Sequence, residues 1–486
     1  MLYHSTRNEK QCVDSARAVL EGLAPDGGLY MPQDIPAFDW KNCLTGDTLS
    51  MATDILSALL PDIPDMAELV RRAYTGKFET DTLTPTVCVG PFTVLELFRG
   101  PTSAFKDVAL SMLPQLLTAA KREKGMQEDI LILTATSGDT GKAALEGFHD
   151  VPGVKICVFY PDGGVSKVQR AQMVTQEGQN VTVSAVVGNF DDAQTGVKKI
   201  FAACQDGALL EGKTFRLSSA NSINIGRLAP QVTYYFKAYR DLLDRGAICM
   251  GDEVNFSVPT GNFGDILAGY LAKKLGLPVG QLICASNANN VLTDFIHTGT
   301  YDRRRPLYKT ISPSMDILVS SNLERLLYLL SGEDTALVAS LMAKLNEEGV
   351  YTVPDALKAA IQAQFWAGCC DDERAQAVIG RVYSELGYLC DPHTATGWAA
   401  AEDYVNQTGD HRPMVVLSTA SPYKFPAAVL EAIGGETSGD EFDQMAKLEA
   451  LTNVPAPKNL KNLKEKEERH TGVIEKDQML PFVLGL

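Results

Sequence analysis

The sequence predicts an α/β fold with a mainly parallel sheet covered by helices on both faces, and three observations carry that prediction. Short, continuous apolar runs alternate with stretches of helical periodicity. Each run ends in a loop rich in Gly, Ser, Thr or Pro before the next helix begins. The runs stay apolar instead of alternating with polar residues, which is the pattern of strands buried on both faces.

Taken in order, "DILILTATSGDTGKAALEGF" (129–148) is a strand, a loop and a helix start. "VKICVFYPDGGVSKVQRAQMV" (154–174) repeats the plan. So do "EVNFSVPTGNFGDILAGYLAKKLG" (253–276) and "PMVVLSTASPYKFPAAVLEAI" (413–433). Ligands of such sheets sit in the loops at the carboxyl ends of the strands. Four loops are thereby singled out: Thr136–Gly141, Pro161–Gly164, Pro259–Asp265 and Ser418–Pro422. From about Glu324 to Tyr404 apolar residues recur at helical spacing, including "VPDALKAAIQAQFWAG", so a helical elaboration is expected there. The charged, Pro-containing "PAPKNLKNLKEKEERHTG" reads as a surface-hugging arm.

With 486 residues, 45% of them apolar, the chain can bury one large core or two smaller ones, and its length suggests two to three domains. A formal net charge of −16 argues against a nucleic-acid or membrane-surface binder, so an anionic ligand needs a local positive pocket. The start "MLYHSTRNEK" lacks the apolar region of a secretory signal, and no run is long enough to span a membrane. Ten scattered cysteines read as reduced thiols of a cytoplasmic protein. Six histidines without ligand spacing make a metal site unexpected.

Three loops could carry chemistry. "TGNFGD" (260–265) is either an anion cradle, with Gly261 and Gly264 freeing backbone N–H groups at a helix start, or a tight turn that needs glycines. "TSGDTGK" (136–142) is not a Walker A, since Thr136 replaces its first glycine and Ala143 its hydroxyl. It offers Thr136, Ser137 and Thr140 to a carboxylate or phosphate, or else merely caps a helix. "SANSINIGRL" (219–228) joins Asn221, Ser222 and Arg227 in an anion-recognising set, or forms a polar loop with a surface arginine. Lys106, in "LELFRGPTSAFKDVAL", follows Phe105 and precedes an apolar helix, a setting that desolvates the amine and frees it as nucleophile and base. An amine of that kind with a phosphate cradle and a carboxylate loop describes a pyridoxal-phosphate site.

The motifs "ELFRGPTSAFKD", "TATSGDTGKAA", "SANSINIGR", "PTGNFGDI", "SPSMDILVSSNLERLLY", "DPHTATG" and "STASPYKFPAAV" resemble threonine synthase in content and order, from about residue 3 to residue 435. The form resembled is the longer microbial and fungal one. The resemblance implies fold type II with pyridoxal 5'-phosphate: two mainly parallel open sheets flanked by helices, an N-terminal segment and a helical insertion. It divides the chain into an N-terminal segment (1–95), a small α/β domain with the cofactor lysine and substrate loops (96–235), a large α/β domain with the phosphate loop (236–435) and a C-terminal arm (436–486). It implies that Lys106 carries the cofactor as a Schiff base and moves protons at successive carbons. Gly261, Asn262, Phe263, Gly264 and Asp265 would hold its phosphate end. Thr419 would meet the pyridine nitrogen, and Asp139 stands where the wider group often has an asparagine at the ring hydroxyl. Thr136, Ser137 and Thr140 would hold the substrate carboxylate, and Asn221, Ser222 and Arg227 its phosphate.

The implied reaction converts O-phospho-L-homoserine and water to L-threonine and phosphate, in a monomer or homodimer. A second reading is a lyase on the same scaffold that releases 2-oxobutyrate and ammonia. A third is a phosphate-binding protein without catalysis, against which Lys106 and Thr419 together argue.

Overall fold

The computed structural model describes every residue except Ser137 and residues 205–207, and only the backbone of Asp191. The expectation attached to Ser137 therefore lies outside the described residues. The apolar runs do form strands, and they assemble into two mainly parallel sheets. The larger has six strands in the order Phe365–Cys369, Val279–Ser286, Val254–Pro259, Met414–Ser418, Phe92–Glu96 and Thr86–Val89. All of its pairings are parallel except the edge hairpin Thr86–Val89/Phe92–Glu96. The smaller is parallel, ordered Val473–Ile474, Val181–Val186, Val154–Pro161, Asp129–Ala135 and Phe215–Ser218.

Register decides which loops become neighbours. Leu417 pairs with Leu95 and Ser418 with Glu96, while Val416 also pairs with Ser257. The central strands thus end side by side, and the segments leading to Lys106, Gly261 and Thr419 leave the same edge. In the smaller sheet Ile132 pairs with Ser218, so the loops beginning at Thr136 and Ser219 are also neighbours. Helices Lys106–Glu123 and Asp139–Phe148 pack against each other, and Gly147 permits this: a Cβ there would lie 1.9 Å from the Leu110 carbonyl oxygen.

Two elements differ from expectation. The helical elaboration is present as Leu323–Leu330, Thr335–Glu347, Asp355–Gln362, Asp372–Leu386 and Pro392–Thr408, but "FWAGC" within it is an edge strand of the larger sheet. Phe365 packs against the tilted rings of Phe263 and Tyr270, so tertiary burial overrides the local helical pattern. The charged tail does run over the surface, and it then adds Val473–Ile474 to the exposed edge of Val181–Val186. Among the described residues, no helix is long and apolar enough to cross a membrane.

Candidate active site

Lys106 is the first residue of its helix, and the turn before it is built by its neighbour. Asp107 accepts hydrogen bonds from the Thr102 backbone N–H (2.8 Å) and the Thr102 hydroxyl. Gly100 is required there, because any Cβ would meet the Asp107 carboxylate at 2.5 Å. Three backbone bonds fasten this loop to the 418–421 segment: Leu97 N–H to Ser418 O (2.9 Å), Phe105 N–H to Thr419 O (2.8 Å) and Ser421 N–H to Ser103 O (3.1 Å). Buried Thr419 is thereby fixed next to the lysine's own chain.

The Lys106 amine lies 3.4 Å from the Ser314 hydroxyl and 5.6 Å from the Phe105 ring centroid. By surface area the residue is half-buried, yet the surrounding protein desolvates its amine enough to govern its charge. Burial lowers its pKa to about 8; Asp139 and Asp265 oppose this, while Lys424 and Arg227 reinforce it. These groups come from four separate loops, so the structure brings the predicted segments around one amine. The exception is Pro161–Gly164, where residues 162–164 are exposed on the surface.

The glycine loop is shaped as a cradle. Phe263 has φ +65°, in the left-handed region, and caps helix Gly264–Lys274. A Cβ on Gly261 would lie 2.8 Å from the Ser314 carbonyl oxygen. Asn262 exposes its side chain, and its carbonyl accepts from the Asn322 backbone and side-chain N–H groups, both at 3.0 Å. Asp265 is buried, accepts from the Ile266 N–H (2.9 Å), and is lifted by burial to about 7.

Asn322 also donates to Ser222 O (3.1 Å), and Ser321 stands 3.5 Å from both the Ser222 hydroxyl and Asn262 Oδ1. These contacts join the glycine loop to the Asn221–Arg227 loop, where Asn221 is exposed and Ser222 half-buried. Behind them, fully buried Arg325 donates to Asn322 and to Ile223 O (2.6 Å). The N-terminal "STR" motif completes the support: Arg7 grips Glu324 with two bonds of 2.8 and 2.7 Å.

Arg227 is buried at 4% exposure with no carboxylate against it. Its Nη1 donates to Ala220 O (2.8 Å), and its buried Nε has no partner among the described residues. Burial alone lowers its pKa to about 10. A desolvated, incompletely bonded guanidinium is a site for an anion.

The third loop is organised differently from expectation. The Thr136 hydroxyl is engaged within its own loop, accepting from Gly138 and Gly141 N–H and donating to Gly138 O, each at 3.0 Å. Thr140 is half-buried at the helix start. Asp139 Oδ1 pairs with Lys424 Nζ at 2.6 Å and accepts from Gln169 at 3.3 Å. Burial would lift the Asp139 carboxyl, but the Lys424 and Lys106 charges hold it well below the usual carboxylate range.

Sequence reasoning assigned no role to four residues that meet here: Lys424, Ser314, His393 and Asn322. Asp391 accepts from His393 Nδ1 at 2.6 Å, so Nε2 carries the lone pair that accepts the Ser314 N–H at 3.2 Å. All four lie inside the quoted motifs, and Lys424 carries a readable signal, a lysine enclosed by Tyr423, Phe425 and Pro426.

Residues 2–74 match the family model "Threonine synthase N terminus", residues 78–420 "Pyridoxal-phosphate dependent enzyme" and residues 394–480 "Threonine synthase, C-terminal". Threonine synthase of Pseudomonas aeruginosa is 40% identical over 479 residues, covering 97% of this chain and 95% of that one. The chain belongs to the threonine synthase family. Within that family, the crystal structure of PLP-bound threonine synthase from Brucella melitensis superposes with a TM-score of 0.88 at 39% identity, covering 100% and 98% of the two chains. Human threonine synthase-like 1 is 38% identical over 456 residues; the match takes in 90% of this chain and only 61% of that longer protein.

Proposed function

We propose that this chain is a threonine synthase: it holds pyridoxal 5'-phosphate at Lys106 and converts O-phospho-L-homoserine and water to L-threonine and phosphate. The observation that carries the reading is a depressed amine, Lys106, facing a buried guanidinium, Arg227, whose Nε has no partner among the described residues, beside a glycine cradle. The residues fit the cofactor. Gly261, Asn262, Phe263 and Gly264 offer backbone N–H groups at a helix N-terminus to its phosphate, with Asp265 at the same helix start. Thr419 supplies a hydroxyl rather than a carboxylate to the ring nitrogen. The bound cofactor supplies an electron sink that acidifies the substrate's Cα and Cβ hydrogens.

The chain's own groups do the rest. Lys106 Nζ, neutral for an appreciable fraction near pH 8, takes the Cα proton and later the Cβ proton. Arg227, with Asn221 and Ser222, binds the substrate phosphate and stabilises the charge that grows as the Cγ–O bond breaks. Thr140, Ser137 and the backbone N–H groups of their loop hold the substrate carboxylate, with Thr136 keeping that loop in shape. Phosphate leaves with one proton, Cγ and Cα each take one, and water adds its hydroxyl at Cβ and gives up its other hydrogen, so the three protons released, from Cα, Cβ and water, balance the three taken up.

Incubating the purified protein, loaded with cofactor, with O-phospho-L-homoserine tests this when phosphate and threonine are measured together. The two should appear in equal amounts. Phosphate release accompanied by 2-oxobutyrate and no threonine would overturn the proposal.

A further inference from the structure

Lys424 and Asp139 form an ion pair that links the two sheets. Lys424 leaves the larger sheet after strand Met414–Ser418; Asp139 leaves the smaller one after Asp129–Ala135. Their side chains are 0% and 3% exposed, and the pair is 2.6 Å long. A second Lys424 bond goes to Thr102 O (3.2 Å), four residues before Lys106. The pair is thus packed against the segment that carries the reactive amine.

The location makes a carboxylate an anomaly. The site is arranged for anions, with the buried Arg227 Nε unpartnered among the described residues and a helix N-terminus in the glycine loop. An ionised Asp139 would repel such ligands and would also bind the Lys106 proton tightly. We propose that Lys424 is a positioning residue of this site: it neutralises Asp139 within an anion-binding cavity and thereby keeps the Lys106 amine available in its neutral form. The proposal deepens the reading of Lys106 as the reactive amine and rests on it.

The surrounding charges are few enough to set the sign. Lys106 faces Asp139, Lys424, Arg227 and Asp265, together with the Ser314 hydroxyl. Asp139 faces Lys424, Lys106 and His393, with Gln169 donating to it. Lys424 faces Asp139 and Asp107. Removing the Lys424 charge leaves Lys106 as the main lysine charge facing Asp139, which raises the proton affinity of Lys106. Removing the Asp139 charge leaves two cations facing Lys106, Lys424 and Arg227, and lowers it. Removing both cancels most of each effect.

The test reads Lys106 itself. The full-length chain, stripped of cofactor, is labelled with an amine-reactive reagent across a pH series, and the Lys106 peptide is quantified by mass spectrometry. In the native chain the midpoint lies at about 8. Lys424→Met should move it up and Asp139→Asn down, each by about tenfold or more in the proton-dissociation constant. The double variant should fall between the two. Should Lys424→Met not fold, the comparison of Asp139→Asn with the double variant decides, and the double variant must have the higher midpoint. Single variants that shift the midpoint in the same direction, or a double variant no higher than Asp139→Asn, would refute the proposal. Because neither cofactor nor substrate is present, this outcome is independent of whether the loaded enzyme makes threonine.

Discussion

Arg227→Met separates anion binding from architecture at the most exposed point of the functional argument. Among the described residues, the native guanidinium is buried, carries one hydrogen bond to Ala220 O, and leaves its Nε without a partner. Burial drops its pKa to about 10, which corresponds to about 3 kcal/mol of destabilisation of the charged form relative to water. Methionine keeps much of the apolar stem and removes the charge. It loses one hydrogen bond worth about 1 kcal/mol. In phosphate-free buffer, with the cofactor bound so that the glycine loop is filled, the variant should therefore match the native protein or exceed it by up to about 2 kcal/mol in urea unfolding. Adding inorganic phosphate reverses the order. At about a hundred times its Kd, phosphate adds about 2.7 kcal/mol to the native protein and nothing to the variant. In turnover, kcat/KM for O-phospho-L-homoserine should drop by a hundredfold or more, for a loss of about 3 kcal/mol or more of interaction with the leaving phosphate. A variant destabilised by more than about 2 kcal/mol without phosphate, or one still stabilised by phosphate, would show that Arg227 is a structural arginine and that the reasoning is wrong.

Gly261→Ala sets a Cβ 2.8 Å from the Ser314 carbonyl oxygen, and because backbone must move the cradle should open; equilibrium dialysis should find pyridoxal 5'-phosphate affinity down by about tenfold or more. His393→Gln removes the Nε2 acceptor that holds the Ser314 N–H and should free the Ser314 hydroxyl from the Lys106 amine; kcat should fall and its alkaline pH dependence should shift, whereas a purely structural histidine would lower stability and leave that profile unmoved. The depressed Lys106 pKa also has a stability consequence of definite sign. Between about 8 and the ordinary lysine value the unfolded chain binds a proton that the native chain does not, so this group makes cofactor-free protein more stable as pH rises through that window. Lys106→Met should abolish that increment, by up to about 3 kcal/mol, in urea unfolding compared at the two ends of the window.

The legible parts of this protein are those written in consecutive residues. "TGNFGD" announces its helix start and its glycines, and the structure adds only that Gly261 abuts Ser314 and that Phe263 takes the left-handed turn. The continuous apolar runs became strands because burial on both faces needs no partner-specific information. The illegible parts are pairings between distant segments. "FWAGC" is helical by local pattern and a strand because Phe365 finds Phe263 and Tyr270. Val473–Ile474 is a charged tail until the edge of Val181–Val186 is placed beside it. Lys424 and Asp139 each stand out in their own motifs, but only the meeting of the two sheets turns them into a pair. The Thr136 hydroxyl is legible as a ligand group but not as one already engaged in its own loop, donating to Gly138 O and accepting from the Gly138 and Gly141 N–H groups.

The same charges serve two purposes that pull in opposite directions, and the cavity resolves them by occupancy. Arg227 and Lys424 lower the proton affinity of Lys106, while Asp139 and Asp265 raise it. With the phosphate position open, the Arg227 charge is unopposed and the amine tends to be neutral, the form that attacks a carbonyl carbon. When an anion settles on Arg227 its charge offsets the guanidinium, so Lys106 binds a proton more firmly, the form that retains a hydrogen taken from carbon. Only the protonated state is accessible if Asp139 is left uncompensated, because a buried carboxylate facing the amine favours its charged form. Lys424 supplies that compensation: its ammonium pairs with Asp139, donates to the Thr102 carbonyl, faces Asp107 and lowers the proton affinity of the reactive amine.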